Sequence, residues 1–134
     1  MNMEKVFVSM PVNENKCSDV KKIRKGIAKA LKNTGNIPYF LDTDPHNENI
    51  YQRMIDEIRN CRFLVADLTS QNNGAYFEAG MAKGMGKTVI FTCKKSDAKN
   101  LHFDVKQLQI VFWENSKDLA KKLSKQIIGS GLNL

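Results

Sequence analysis

Gly74 to Phe91 reads GAYFEAGMAKGMGKTVIF. Its Gly86-Lys87-Thr88 has the ending of a phosphate-binding loop, G-x-x-x-x-G-K-[ST]. That loop must leave a strand and open a helix, so that free backbone N–H groups meet the phosphates. Here the first Gly position of the pattern is Met81. The order of elements is also reversed. Tyr76 to Met85 carries the helical pattern before Gly-Lys-Thr, and TVIF after it is a β-branched, apolar strand run. The stretch is a helix leaving into a strand, and the reactive side chain it offers is Glu78.

The same alternation recurs on both sides. Lys5 to Met10 (KVFVSM) is a short β-prone run ended by Pro11. From Ser18, an N-cap residue, Val20, Ile23, Ile27, Ala30 and Leu31 recur at helical intervals until Asn33 and Gly35. Pro38 to Leu41 is a second strand, and Ile50, Met54 and Ile58 stripe a second helix. Arg62 to Asp67 (RFLVAD) is almost unbroken in its apolar character, as a strand buried on both faces requires. After the turn residues SQNNG, a helix is predicted from about Ala75 to Met85 and a fourth strand at Thr88 to Cys93. Lys94 to Asp104 is a polar connection, Gln109 to Trp113 a fifth strand, and Leu119, Leu123 and Ile127 mark a terminal helix.

Strands alternating with helices predict a flavodoxin-like α/β three-layer sandwich, one domain over residues 1–134, with a five-stranded parallel sheet of order 2-1-3-4-5. Such sheets bind ligands beyond their C-terminal edge at the topological switch point, here between strands one and three. That edge collects Ser9, Met10 and Pro11, then Asp42 and Asp44 after strand two, Asp67 at the end of strand three, and Glu78 in the first turn of the next helix. Asp104 either lines the site from the loop after strand four or caps a turn. Three or four carboxylates around one crevice exceed what folding demands.

Composition narrows the classes. No apolar run approaches the roughly 20 residues that span a bilayer, and the N-terminus lacks the features of a secretory signal, so a soluble, cytoplasmic protein is expected. The three cysteines, Cys17, Cys61 and Cys93, are far apart and form no C-x-x-C pair, which argues against a disulfide framework or structural zinc. His46 and His102 stand alone in polar loops, so no metal site is expected. The net charge of +7 favours anionic partners. Its excess lies in Lys16 to Lys32 and Lys117 to Lys125, as solvated faces of two amphipathic helices without the aromatics that stack on bases. This points away from nucleic acid.

Glu78 stands among small residues, with Gly74 and Ala82 four positions away on either side. An accessible carboxylate near a helix N-terminus is a competent nucleophile toward a sugar C1′ with oxocarbenium character, and a second carboxylate, Asp67, is placed to manage the leaving group's proton. The alternative is structural: Glu78 caps its own helix and Asp67 holds loop N–H groups. Cys93 and Trp113 lie at the same edge, where each has either a core or a site role.

The segment CRFLVADLTSQNNGAYFEAGMAKGMGKTVIF resembles the nucleoside 2-deoxyribosyltransferase superfamily and its deoxynucleoside-monophosphate N-glycosidase relatives. There a strand ending A-[DE]-[LV]-T precedes G-x-x-x-E-x-G-x-A and a Gly-Lys entering the next strand. This chain supplies Ala66-Asp67-Leu68-Thr69, Gly74, Glu78, Gly80, Ala82 and Gly86-Lys87. The resemblance implies that Glu78 forms a covalent deoxyribosyl ester, that Asp67 assists at the nucleobase, and that a nucleoside or nucleotide is the substrate without a cofactor. It further implies that Phe7, Ser9, Met10, Pro11, Asp42, Asp44, Gly74 and Asp104 line the substrate. It also implies a homo-oligomer in which a neighbour's C-terminal segment, here with Asn133, completes the site. Phe7 stands where the family's first strand commonly has a Tyr that supports the nucleophile, and Met10 and Pro11 stand where it has glycines. FVSMP and LHFDV (Leu101 to Val105) resemble TIR-like domains as well. Cleavage of NAD, or nucleotide sensing without catalysis, are the alternatives that this brings.

Overall fold

The computed structural model describes residues 5–43, 49–102, 105 and 108–134. Asp44, His46 and Asp104 lie outside the described residues.

Five strands form one sheet: β1 (Lys5–Ser9), β2 (Ile37–Tyr39), β3 (Leu64–Asp67), β4 (Val89–Lys94) and β5 (Ile110–Trp113). The order is β2-β1-β3-β4-β5 and all four pairings are parallel, as the alternating pattern predicts. The register sets Ser9 beside Ala66 and Asp67 beside Thr92, so the C-terminal ends of the three central strands are level. Four α-helices connect or follow the strands: α1 (Val20–Asn33), α2 (Ile50–Asn60), α3 (Asn73–Gly84) and α4 (Ser116–Gly129).

The pleat sorts the strand side chains into two cores. Val6, Val8, Val65, Ile90 and Trp113 join α1 and α4 on one face. Phe7, Leu64, Ala66, Phe91 and Cys93 join α2 and α3 on the other. This alternation follows from the two-residue period of a strand. On the first face α1 and α4 approach closely at Gly26, where a Cβ would stand 2.8 Å from Leu119 Cδ2 and 2.9 Å from the Ser116 carbonyl oxygen.

Asparagines start three of the helices. Asn49 accepts from the Tyr51 N–H at 2.8 Å, Asn72 from Gly74 at 3.2 Å and Asn115 from Asp118 at 2.8 Å, each satisfying a helix donor that has no intrahelical partner. The first helix differs from expectation. It begins at Val20 behind Asp19 rather than at Ser18, and Asp19 makes no capping bond but pairs with Lys94 Nζ at 2.9 Å.

Two further segments depart from the sequence reading. Lys95–Asn100, expected as an unstructured connection, is a 3-10 helix. The last residues, for which a frayed end was one expectation, dock at the N-terminal edge of their own sheet. There Arg62 donates to the Leu132 carbonyl at 2.8 Å and to the Asn36 side chain, and the Leu134 N–H donates to the Thr34 carbonyl at 2.7 Å. No helix among the described residues is long and apolar enough to cross a membrane.

Candidate active site

At the C-terminal edge, a hollow of about 260 Å³ opens between β1, the segment after β2 and α3. Its walls are the apolar Phe7, Val8, Met10, Val12, Phe40, Leu41 and Ile50, with Ser9, Asp42, Asn72, Gly74 and Glu78 as the polar groups. Apolar walls with a few convergent polar groups are the usual composition of a small-molecule site.

Glu78 is the centre of this arrangement. The Ser9 hydroxyl, buried at the end of β1, donates to its Oε1. Pleat parity explains the meeting: Ser9 shares its face with Phe7, the face that α3 covers. Glu78 does not cap its helix, because Asn72 does so. Since α3 starts at Asn73, two residues before the predicted start, Glu78 stands in the second turn rather than the first. The helix dipole fades within the first turn, so it gives little help to the anion. Burial dominates instead, pushing the carboxyl above its ordinary value, and the Ser9 hydroxyl pulls it partly back. Among the described residues, Glu78 has no cation partner.

Asp42 is the second carboxylate on the hollow. It is held by Arg24 at 2.7 Å, and the Arg24 guanidinium lies 4.3 Å from the centroid of the Phe40 ring. Phe7 packs on Tyr39 with ring centroids 5.6 Å apart. Gly74 borders the hollow without a side chain to obstruct it. Pro11 does not reach it. Instead, Pro11 lines an adjoining hollow of about 250 Å³ with Asn13, Lys16, Ser70 and Gln71, and the two hollows meet at Val12 and Asn72.

Asp67 is not at the crevice. Its parity matches Val65, so its side chain points to the α1/α4 face, away from Ser9 and Glu78. It is wholly buried and accepts from Thr92 Oγ1 at 2.6 Å, Trp113 Nε1 at 3.0 Å and the Thr69 N–H at 3.0 Å. Burial pushes its carboxyl up against the opposing effect of these donors. The expected ring of three or four carboxylates reduces, among the described residues, to Glu78 and Asp42. Trp113 and Cys93 are fully buried and belong to the core. Burial pushes the Cys93 thiol up to about 12, far from a reactive thiolate. The main-chain N–H of His102 donates to the Tyr76 hydroxyl at 2.9 Å, away from the hollow. Among the described residues no cluster of His, Cys, Asp and Glu is arranged to hold a metal ion.

The loop between Asp67 and Glu78 is pinned. Ser70 and Gln71 have φ of 62° and 51°, in the left-handed region. The Ser70 N–H donates to Asp97 at 2.5 Å, and the Gln71 side chain donates to the Asn100 carbonyl. Sequence reading overlooked Asn72 and Phe40. The helix-capping preference of asparagine before Gly74 was the available signal for Asn72. Nothing in the run PYFL distinguished Phe40.

Comparison with solved structures finds this fold in several proteins of low identity. The CMP N-glycosidase of Clostridium botulinum aligns with 18% identity over 90% of this chain and 98% of that one, at a TM-score of 0.66. The 2-desoxiribosyltransferase of Leishmania mexicana aligns with 20% identity over 69% of this chain, at a TM-score of 0.55, and the alignment spans 65% of that protein. The TIR domain of a Toll-related receptor from Hydra magnipapillata aligns with 13% identity over 93% of this chain and 95% of that one, at 0.65. No curated protein matches the sequence. The pattern of nucleoside 2-deoxyribosyltransferases matches residues 13–112, a span that begins after β1 and holds both Asp67 and Glu78. By that match over most of its length, the chain belongs to the nucleoside 2-deoxyribosyltransferase family.

Proposed function

We propose that this protein cleaves the N-glycosidic bond of a deoxynucleoside or nucleoside monophosphate, with Glu78 as the nucleophile. The observation that carries the reading is the pairing state of the two carboxylates on the hollow. Asp42 is already neutralised by Arg24, whereas Glu78, among the described residues, meets only the Ser9 hydroxyl and borders the open hollow. A desolvated carboxylate without a cation is more basic and better able to attack carbon than a solvated one.

In the first step a Glu78 oxygen bonds to C1′ as the C1′–N bond breaks, and the base leaves with the bonding electrons and takes a proton from water. In the second step water or the N–H nitrogen of an acceptor base attacks C1′, the ester C1′–O bond breaks to free the carboxylate, and the attacking group gives its proton to the hydroxide left by the first step. Ser9 orients Glu78 through its hydrogen bond. Phe7, Phe40 and Met10 offer apolar surface to the base or sugar, and Asp42 with Arg24 offers a polar edge. Asp67 acts as a positioning residue, fixing the end of β3 through Thr92 and Trp113, in place of the direct proton role that the resemblance implies. Val12 and Ile50, 55% and 59% exposed at the rim, are apolar surface that a neighbouring copy would cover in a homo-oligomer.

The test is to incubate the protein with deoxynucleosides, their 5′-monophosphates, CMP and NAD, and to separate the products by chromatography. Free nucleobase from a nucleoside or monophosphate, lost in Glu78→Gln, supports the reading. Nicotinamide release from NAD alone would replace it with the TIR-like activity. Nucleotide binding without any product would replace it with a sensing role.

A further inference from the structure

A second hollow, larger than the one at Glu78, lies on the other side of the sheet. A groove of about 840 Å³ runs along the outer surface between α1 and α4, on the helix layer opposite α3. We propose that this groove docks an acidic, amphipathic helix of a partner protein.

The sequence alone presented its lysines as two separate solvated faces. The fold sets them side by side, because Gly26 lets α1 and α4 touch and the Ser116 hydroxyl donates to the Lys22 carbonyl at 2.8 Å. Lys22, Lys25 and Lys29 form one rail, spaced i, i+3, i+7, and Lys117 and Lys121 form the other, spaced i, i+4. The first rail extends over two helical turns, about 10 Å. Lys22 pairs with Asp19 at 3.7 Å, and Lys121 feels Asp118 only at longer range. Lys25, Lys29 and Lys117 form no ion pair among the described residues. Of the five groove lysines, three are therefore uncompensated by an ion pair among the described residues.

Most of the surface between the rails is apolar, with Asn33, Thr34, Asn115 and Ser116 also lining the groove. The apolar floor holds Gly26, Ala120, the lysine stems and Ile128, which is 57% exposed. Ser124 adds a hydroxyl oxygen that is buried yet has no hydrogen-bond partner among the described residues. An apolar trough between two cationic rails complements a helix with an apolar stripe flanked by carboxylates, the arrangement by which amphipathic helices seat in grooves. A nucleic-acid strand fits less well. No aromatic or arginine side chain lines the groove to stack on bases or grip phosphates in a bidentate manner, and phosphates gain nothing from the floor. A bilayer fits less well too, since among the residues lining the groove Ile128 alone is a large, exposed apolar side chain.

The experiment measures fluorescence anisotropy of the whole protein with a fluorescein-labelled peptide in which leucine recurs at helical spacing and glutamate fills the other positions. A shuffled peptide of equal composition, an oligothymidylate strand and phosphatidylserine vesicles are the comparisons. The helical peptide should bind at least about tenfold more tightly than its shuffle and weaken with added salt, since a charged rim governs salt dependence. Lys25→Glu with Lys121→Glu should weaken it about tenfold or more, and so should Ile128→Ser, which leaves the charge intact. Lys83→Glu with Lys99→Glu, equal in charge change but outside the groove, should not. Equal binding of peptide and shuffle overturns the proposal. So does tighter binding of the oligonucleotide or vesicles that is lost in the groove variants, or insensitivity to Ile128→Ser in a variant whose circular dichroism matches the wild type.

Discussion

Ser9 and Glu78, 69 positions apart, share a hydrogen bond in which the strand hydroxyl donates to the helix carboxylate. Burial raises the Glu78 pKa and this bond lowers it. A carboxylate nucleophile must be ionised, so kcat/KM for base release should fall on the acid side at a pH above the ordinary glutamate range, about 4. Ser9→Ala removes the opposing effect and should move that limb to higher pH. A pH profile of the variant that overlays the wild type would remove Ser9 from the machinery.

Glu78→Gln should abolish turnover, a loss of orders of magnitude, because the covalent route disappears. Its stability should change in the other direction. With the folded pKa above the unfolded one, the carboxyl favours the fold while protonated, below the unfolded pKa. That contribution is lost as pH rises through the folded pKa. The variant should therefore melt above the wild type at about neutral pH, with the difference closing below about pH 4. Thermal melts across pH test this, and a variant that melts lower at neutral pH contradicts it.

Asp67→Asn should be a stability variant. Thr69 donates to one carboxylate oxygen, and Trp113 and Thr92 donate to the other. An amide presents an N–H to one of those positions, leaving a buried donor facing a donor at about 1–3 kcal/mol. Chemical denaturation should show that loss, while the acid limb of kcat/KM stays in place. A shifted limb with unchanged stability would restore Asp67 to direct proton chemistry.

Gly26→Ala tests the α1–α4 contact. Alanine is the better helix former by about 1 kcal/mol. Here its Cβ would meet the Ser116 carbonyl oxygen at 2.9 Å, and that backbone atom cannot swing aside. Overpacking of about 1–3 kcal/mol should outweigh the propensity gain. Equilibrium unfolding should show net destabilisation.

The fold was legible because each helix and strand declared its period. Ile23, Ile27, Ala30 and Leu31 can share a face only on a helix, and RFLVAD is apolar enough only for a central strand. The edge rule then found Ser9, Met10, Asp42 and Glu78, and the family resemblance added Gly74. It misplaced Asp67 because it ranked residues by nearness to the strand end and ignored pleat parity, which sends Asp67 to the face of Val65 and Ser9 to that of Phe7. It placed Glu78 a turn too early because Asn72 was taken for a turn residue rather than a cap. Phe40 was invisible for another reason: its place on the hollow depends on a backbone turn after β2 that no periodicity encodes.

The left-handed Ser70 and Gln71 bear on the site in entropic terms. Each holds a backbone conformation that costs a non-glycine residue about 1–2 kcal/mol, and Asp97 and Asn100 keep them there. The segment that carries Asn72 and delivers Glu78 is thus ordered by the folding of the chain itself. A ligand seated at Glu78 would meet, on this wall of the hollow, a surface with little freedom left to surrender, so this wall would contribute through shape and desolvation rather than through the ordering of a loop.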